Sequence, residues 1–361
     1  MFYHFLYPLH QYFFAFNVFR YITFRSVYAT VTAILICFIF GPPLIKKLKQ
    51  IGIGRKVREY TPSRHEKKAG TPSMGGVIIL LAILGSIFLW GNPQNHYTIL
   101  VCVSTFSYGL IGFLDDYLKF VSKSSRGFHA RFKLFTQLLI SAAVVMYIFL
   151  GPGKGEETTL LYVPFLTHPV VDLSYFYIPF GVLLLVATSN SVNLTDGLDG
   201  LAMGLVVLVI ATYAALSYLT GHVEIAEYLK IPYIADSAEL TVFCMSVLGA
   251  GIGFLWFNAH PADVFMGDTG SLSLGGTIGV ISLLIKKEIL LIIVGGVFVM
   301  EGLSVIIQVV VFKIAGKRVF LMAPLHHHYE LKGWSESKII VRFWIIGAML
   351  ALIALSTLKI Q

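Results

Sequence analysis

An all-α polytopic membrane protein is the fold class the sequence predicts, with about ten transmembrane helices forming one membrane domain over residues 1–361. Composition is the first ground: 57% of the residues are hydrophobic and only 13% charged, far from the balance of a soluble protein of this length. The second is run length. Uncharged stretches able to cross about 30 Å of hydrocarbon recur, for example at 26–45, 200–221 and 240–259. These runs are apolar throughout instead of alternating, which selects helices and excludes an outer-membrane barrel. The third is where charge sits. The net +8 lies mostly in loops between apolar runs, so it is a topology signal and not a nucleic-acid footprint.

Residues 1–19 are aromatic, with no basic n-region and no small-residue cleavage site, and predict an interfacial segment leading into the first span. The hydropathy pattern then places helices at 20–45, 73–91, 97–117, 132–150, 174–190, 198–219, 238–256, 264–285, 288–312 and 338–358. The uncharged stretch 73–114 is too long for one span, and the turn signal GNPQN at 91–95 divides it. Glu301 interrupts the ninth run. Between Lys46 and Lys68 lie nine lysines and arginines, whereas 91–97 has none, which makes the first loop cytoplasmic. Alternation then puts 46–72, 118–131, 191–197, 257–263 and 313–337 in the cytoplasm and both termini outside. Cys37, Cys102 and Cys244 all fall in apolar runs and read as buried thiols, neither disulfides nor metal ligands.

With this topology the unusual polar chemistry gathers at one face: KKAGTPSMGG (67–76), GFLDDYLKF (112–120), NLTDGLDG (193–200), FNAHPADVFMGDTGS (257–271) and APLHHHYELKG (323–333). A carboxylate at the bilayer centre costs roughly 2.5–3.5 kcal/mol on insertion scales, so these acids require compensation. Asp115 and Asp116 are adjacent and point about 100° apart on a helix, so one can meet a metal and the other a substrate group or lysine; an ordinary helix-end pair is the bland alternative. Asn193, Asp196 and Asp199 are spaced to line one side of a helix start, and Gly197 and Gly200 leave room for a ligand; alternatively Thr195 or Asp196 caps the next helix. Asp268, between glycines, suits a hard cation such as Mg²⁺ shared with substrate phosphates. Phe265 is a base-stacking candidate or an interfacial anchor. Three consecutive histidines, His326, His327 and His328, are poor zinc geometry and read as phosphate contact, proton transfer or structural hydrogen bonds. Lys119, Lys123, Arg126, Arg131 and Lys133 serve anionic head groups, a substrate phosphate or simply the positive-inside bias. Glu301 has no evident place among these groups.

GFLDDYLK, NLTDGLDGL, FMGDTGS and APLHHHYELKGW, in this order, resemble the polyprenyl-phosphate N-acetylhexosamine-1-phosphate transferase superfamily, and the HHH loop resembles its phospho-N-acetylmuramoyl-pentapeptide transferase branch. The resemblance covers about residues 20–358. It implies transfer of phospho-MurNAc-pentapeptide from UDP-MurNAc-pentapeptide to undecaprenyl phosphate, giving lipid I and UMP, with Mg²⁺ as cofactor. It further implies a homodimer in the bacterial cytoplasmic (inner) membrane, periplasmic termini and an active-site cleft facing the cytoplasm. By the same resemblance Asp115, Asp116, Asp268 and His326 fall on catalytic positions, with Asp268 the metal ligand. Lys68, Ser73, Lys119, Lys123, Arg131, Asn193, Asp196, Gly197, Leu198, Asp199, Asn258, Phe265, His327 and His328 fall on substrate positions, Phe265 stacking on uracil. Arg131 stands where the family often has lysine and Ser73 where threonine is common. Direct attack by the lipid phosphate is the expected mechanism; a covalent aspartyl phosphate is the rival. A sister enzyme using UDP-GlcNAc and a proton-coupled transporter are the alternative functions. Transporter acids belong near the midplane of broken helices, and these cluster at one face.

Overall fold

The computed structural model describes residues 2–52, 70–122, 127–151, 156–166 and 168–358. Helices form in all ten expected segments: α1 Ile22–Ile51, α2 Gly76–Trp90, α3 His96–Val121, α4 Ala130–Leu150, α5 Tyr177–Thr195, α6 Leu201–Thr220, α7 Ser237–Asn258, α8 Gly267–Leu284, α9 Gly296–Ala315 and α10 Glu336–Ser356. Eight of them are long and apolar enough to cross a membrane; α2, with 15 residues, and α8, rich in glycine, serine and threonine, fall short. The protein is therefore a polytopic helical membrane protein.

Buried small residues explain how α8 can occupy the centre. Every residue from Thr269 to Leu284 is buried. Without a hydrophobic drive between helices in lipid, close approach of small residues and interhelical hydrogen bonds supply the attraction. Accordingly Thr105 of α3 and Thr277 of α8 pair at 2.6 Å, and Ser189 of α5 donates to the Leu272 carbonyl at 3.1 Å. α7 packs between α1 and α6, while α9 rests on α5 and α10 on α6. The outer helices keep apolar stripes exposed, such as Val27, Val31, Leu35 and Ile39 on α1 and Leu303, Ile306, Val310 and Ile314 on α9. Apolar surface of this extent needs cover, and lipid supplies it.

Three expectations are corrected. The ninth helix does not run unbroken through 288–312: a short helix, Leu290–Val294, stops at Gly295 before α9 begins, so the interruption lies at glycine and not at Glu301. The chain is not wholly α-helical, since Leu160–Leu161 pair antiparallel with Val171–Asp172 in the loop before α5. Asn193, Asp196 and Asp199 do not line a helix start. α5 extends to Thr195, Asp196 is its C-cap, and α6 is preceded by Gly200 at φ 75 with no side-chain cap, so neither Thr195 nor Asp196 caps it.

Two ion pairs, one buried and one with only its arginine buried, tie down the end of the bundle opposite Asp268. At the C-terminal end of α8, the Lys286 ammonium donates to Glu288 at 2.8 Å, the Tyr177 hydroxyl at 3.0 Å and the Thr158 carbonyl at 2.9 Å. Near the start of α1, Arg25 is 1% exposed and grips Glu239 of α7 through two nitrogens, at 2.9 and 2.5 Å. Breaking a buried pair strands the remaining charge. We expect Glu239→Leu, which strands the Arg25 guanidinium, to destabilise the protein by about 3–5 kcal/mol, seen as a lower melting temperature in detergent, with Arg25→Leu/Glu239→Leu recovering most of the loss.

Candidate active site

The two acids of GFLDDYLKF leave α3 in different directions, as a 100° step requires. Asp116 turns toward α8. Its Oδ1 accepts from the Asp268 backbone N–H at 3.2 Å, and its Oδ2 from the Thr269 N–H at 3.0 Å and hydroxyl at 2.7 Å. A carboxylate thus satisfies orphan N–H groups at the start of another helix, which holds Asp268 in place. Contact this close depends on glycine. A Cβ at Gly112, one turn before Asp116, would collide with the backbone of Asp268 and Thr269. Gly267 has φ +73, and a Cβ there would lie 2.7 Å from Asp116 Oδ2.

Asp115 faces the cluster itself. Its Oδ1 accepts from the Phe128 N–H at 2.6 Å, and its Oδ2 lies 2.7 Å from Lys119 Nζ and 3.5 Å from Lys133 Nζ. Asp268 completes the centre: Oδ1 accepts from Asn193 Nδ2 at 2.8 Å, and Oδ2 from Lys119 at 2.9 Å and Lys133 at 2.6 Å. Asn193 is anchored in turn to Ser271 Oγ at 2.7 Å. The Asp268 side chain remains 18% exposed, so the cluster is open on one side.

Lys133 was named only among the basic residues that serve an anion or the positive-inside bias, whereas the resemblance put Arg131 on a substrate position. Two residues apart on α4 they lie about 200° apart, so only one can face inward. Arg131 is exposed, and Lys133 begins the buried stripe continued by Gln137, Ser141, Val144 and Val145. That polar i, i+4, i+8 series was the available signal. Lys68 and Lys123 lie outside the described residues.

The other expected residues surround this centre. Ser73 and Phe265 are half-buried on two segments joined by backbone bonds: Phe265 donates to Pro72 and accepts from Gly75, each at 2.8 Å. Asn258 is 2% exposed, its Oδ1 receiving the Gly200 N–H at 3.1 Å and its Nδ2 donating to the Val264 carbonyl at 2.9 Å, so its amide holds two loops together. Asp196 and Gly197 are half-buried in the turn after α5, and Leu198 is buried. Asp199 accepts from Ala262 N–H at 3.2 Å and lies 3.1 Å from His260 Nδ1, which is 3.6 Å from Glu336. Asp199, His260 and Glu336 also have the spacing of a metal-ligand trio.

The three histidines separate in role. His326 is fully buried, His327 Nδ1 lies 2.6 Å from Glu330, and His328 Nδ1 accepts from the Leu321 N–H at 3.1 Å. Burial first, and then the neighbouring Lys332, hold His328 below the ordinary imidazole pKa. Glu301, unplaced from sequence, receives the His326 backbone N–H at 3.2 Å.

These features define a polytopic membrane protein built around a carboxylate–lysine centre at one end of its helix bundle, and similarity narrows the class. A family model described as Glycosyl transferase family 4 matches residues 98–286, and one described as Phospho-N-acetylmuramoyl-pentapeptide-transferase signature 1 matches 68–80. Proteins named phospho-N-acetylmuramoyl-pentapeptide-transferase are 52% identical in Desulforapulum autotrophicum, 50% in Thermodesulfovibrio yellowstonii and 52% in Pelobacter propionicus, each over 100% of both chains. The chain belongs to the phospho-N-acetylmuramoyl-pentapeptide-transferase family.

Proposed function

We propose that the chain transfers phospho-MurNAc-pentapeptide from UDP-MurNAc-pentapeptide to undecaprenyl phosphate, giving lipid I and UMP, the first membrane step of peptidoglycan synthesis. The observation that carries this reading is the meeting of Asp115, Asp268, Lys119, Lys133 and Asn193 at one end of an apolar bundle. That arrangement suits a soluble anionic donor meeting a lipid phosphate at a membrane surface. The basic loop 46–68 supports placing this end in the cytoplasm of a bacterial inner membrane. Ten spans, with α2 and α8 as the short ones, and periplasmic termini complete the proposed topology, and homodimerisation is implied by the family resemblance.

In the proposed reaction an oxygen of the lipid phosphate bonds to the phosphorus that carries the sugar. The bond from that phosphorus to the bridging oxygen breaks, and UMP takes the oxygen with its charge. Positioning and charge neutralisation dominate such transfers. Lys119 and Lys133, already paired to carboxylates, supply cations for the pyrophosphate oxygens. Asp116 acts through the backbone of α8, holding Asp268 in place, while Asp115 orients the lipid phosphate or accepts its proton. Phe265 stacks on uracil, and Asn193, Asp196 and Asp199 line the donor pocket.

The donor set also fits Mg²⁺: hard carboxylate oxygens, with Asp268 partly exposed and substrate phosphates available for the remaining positions. Asp268, with Asp115 beside it, would hold the ion, which supplies charge neutralisation at the pyrophosphate. Asp116 is committed to the α8 N–H groups and is the poorest ligand of the three.

The test is UMP release by the purified protein in detergent with undecaprenyl phosphate and Mg²⁺, comparing UDP-MurNAc-pentapeptide with UDP-GlcNAc. Release with the muramoyl donor alone, stopped by EDTA and restored by Mg²⁺, is the expected result. Release with UDP-GlcNAc instead would overturn the donor, and release with neither would overturn the reaction.

A further inference from the structure

Glu301 lies in α9, a helix with no other carboxylate, and its side chain is fully buried. Gly302 beside it lets α9 press against α5, since a Cβ at that position would lie 2.6 Å from Ser191 Oγ. This contact brings Glu301 behind the turn that carries Asp196 and Gly197. There it faces His326 twice. Oε1 accepts the His326 backbone N–H at 3.2 Å, and Oε2 lies 3.3 Å from the ring Nδ1.

His326 is also fully buried, and its Nε2 lies against Gly197, where a Cβ would collide with the ring. Oε2 and Nδ1 are within reach of each other but not aligned as a hydrogen bond, and neither they nor Nε2 make one to any described residue. Buried polar atoms left unmade are costly, and a small rotation of the ring aligns Nδ1–H with Oε2. A carboxylate can only accept, so it selects the imidazole form that carries its proton on Nδ1. Nε2 is then the ring's open nitrogen, pointed at the Asp196–Gly197 turn.

We propose that Glu301 is a positioning residue: it fixes the orientation and tautomer of His326 so that Nε2 is presented as an acceptor at the edge of the donor pocket. The proposal rests on the reaction proposed above. Carboxylates that orient metal-binding histidines change function by about tenfold to a hundredfold when replaced, and an effect of the same order is expected for this metal-free histidine.

Glu301→Gln tests it with little change in shape. The amide places an N–H opposite Nδ1 and drives the proton to Nε2. We expect kcat for UMP release to fall about tenfold to a hundredfold with KM for both substrates unchanged, and Glu301→Asp to recover part of the loss. In a His326→Gln background the same change is expected to cost nothing more. The second readout is ¹⁵N NMR of the full-length histidine-labelled protein, with His326 assigned by its loss in His326→Gln. The Nδ1 signal is expected at the protonated position in the wild type and at the unprotonated position in Glu301→Gln. Full kcat in a normally melting Glu301→Gln protein, or an unprotonated Nδ1 in the wild type, would overturn the proposal. A wild type that releases no UMP would overturn the reaction instead, while the nitrogen signals still decide the tautomer.

Discussion

Asp268→Asn is expected to lower UMP release by roughly 10³-fold or more. Asparagine has nearly the same shape, and the Asp268 backbone N–H that meets Asp116 is untouched, so the start of α8 should stay in place. What disappears is the charge. Lys119 and Lys133 lose the oxygen they share at 2.9 and 2.6 Å, and the Asn193 amide faces a changed partner. The proposed Mg²⁺ loses its carboxylate at the same time. The measurement is single-turnover UMP release, with the melting temperature as a check on folding. A decrease of less than tenfold in a stably folded variant would remove Asp268 from the centre of the reaction and with it the proposed metal site.

Asp115→Asn separates two roles that occupy one position. If Asp115 removes a proton from the lipid phosphate, turnover should fall by roughly 10²–10⁴-fold. The second pKa of a phosphate is near 6, so at neutral pH most of that nucleophile is already ionised and little remains for a base to do. The geometry adds a constraint, because one Asp115 oxygen is taken by the Phe128 N–H at 2.6 Å and the other by Lys119 at 2.7 Å. Rates measured from acid to neutral pH distinguish the roles. Loss of a base costs most where the phosphate is still protonated, whereas loss of an orienting group costs the same across the range. A loss under tenfold throughout would exclude the base.

Local chemistry was the legible part of this protein. Long uncharged runs mark helices because an unsatisfied backbone cannot cross lipid, and all ten expected segments are helical. Asp268 was conspicuous as a carboxylate between glycines, and it stands at the centre of the site. Asp115 and Asp116 were both visible as polar anomalies, but their division of labour was not. It depends on which face of α3 meets α8, and Gly112 decides that by allowing backbone contact. Lys133 illustrates the same limit. Helix phase opposes it to Arg131, but which of the two faces the acids depends on how α4 packs.

From the sequence alone came the membrane class, the polar loops and the identity of the chemical groups, because composition and periodicity are local properties of the chain. Only the tertiary structure joined Glu301 to His326, 25 residues away, and made Asp116 the cap of α8, 152 residues away. Such pairings depend on which helices touch and at what depth. Glycines and small hydroxyl residues set those contacts, and a one-dimensional pattern does not report their partners.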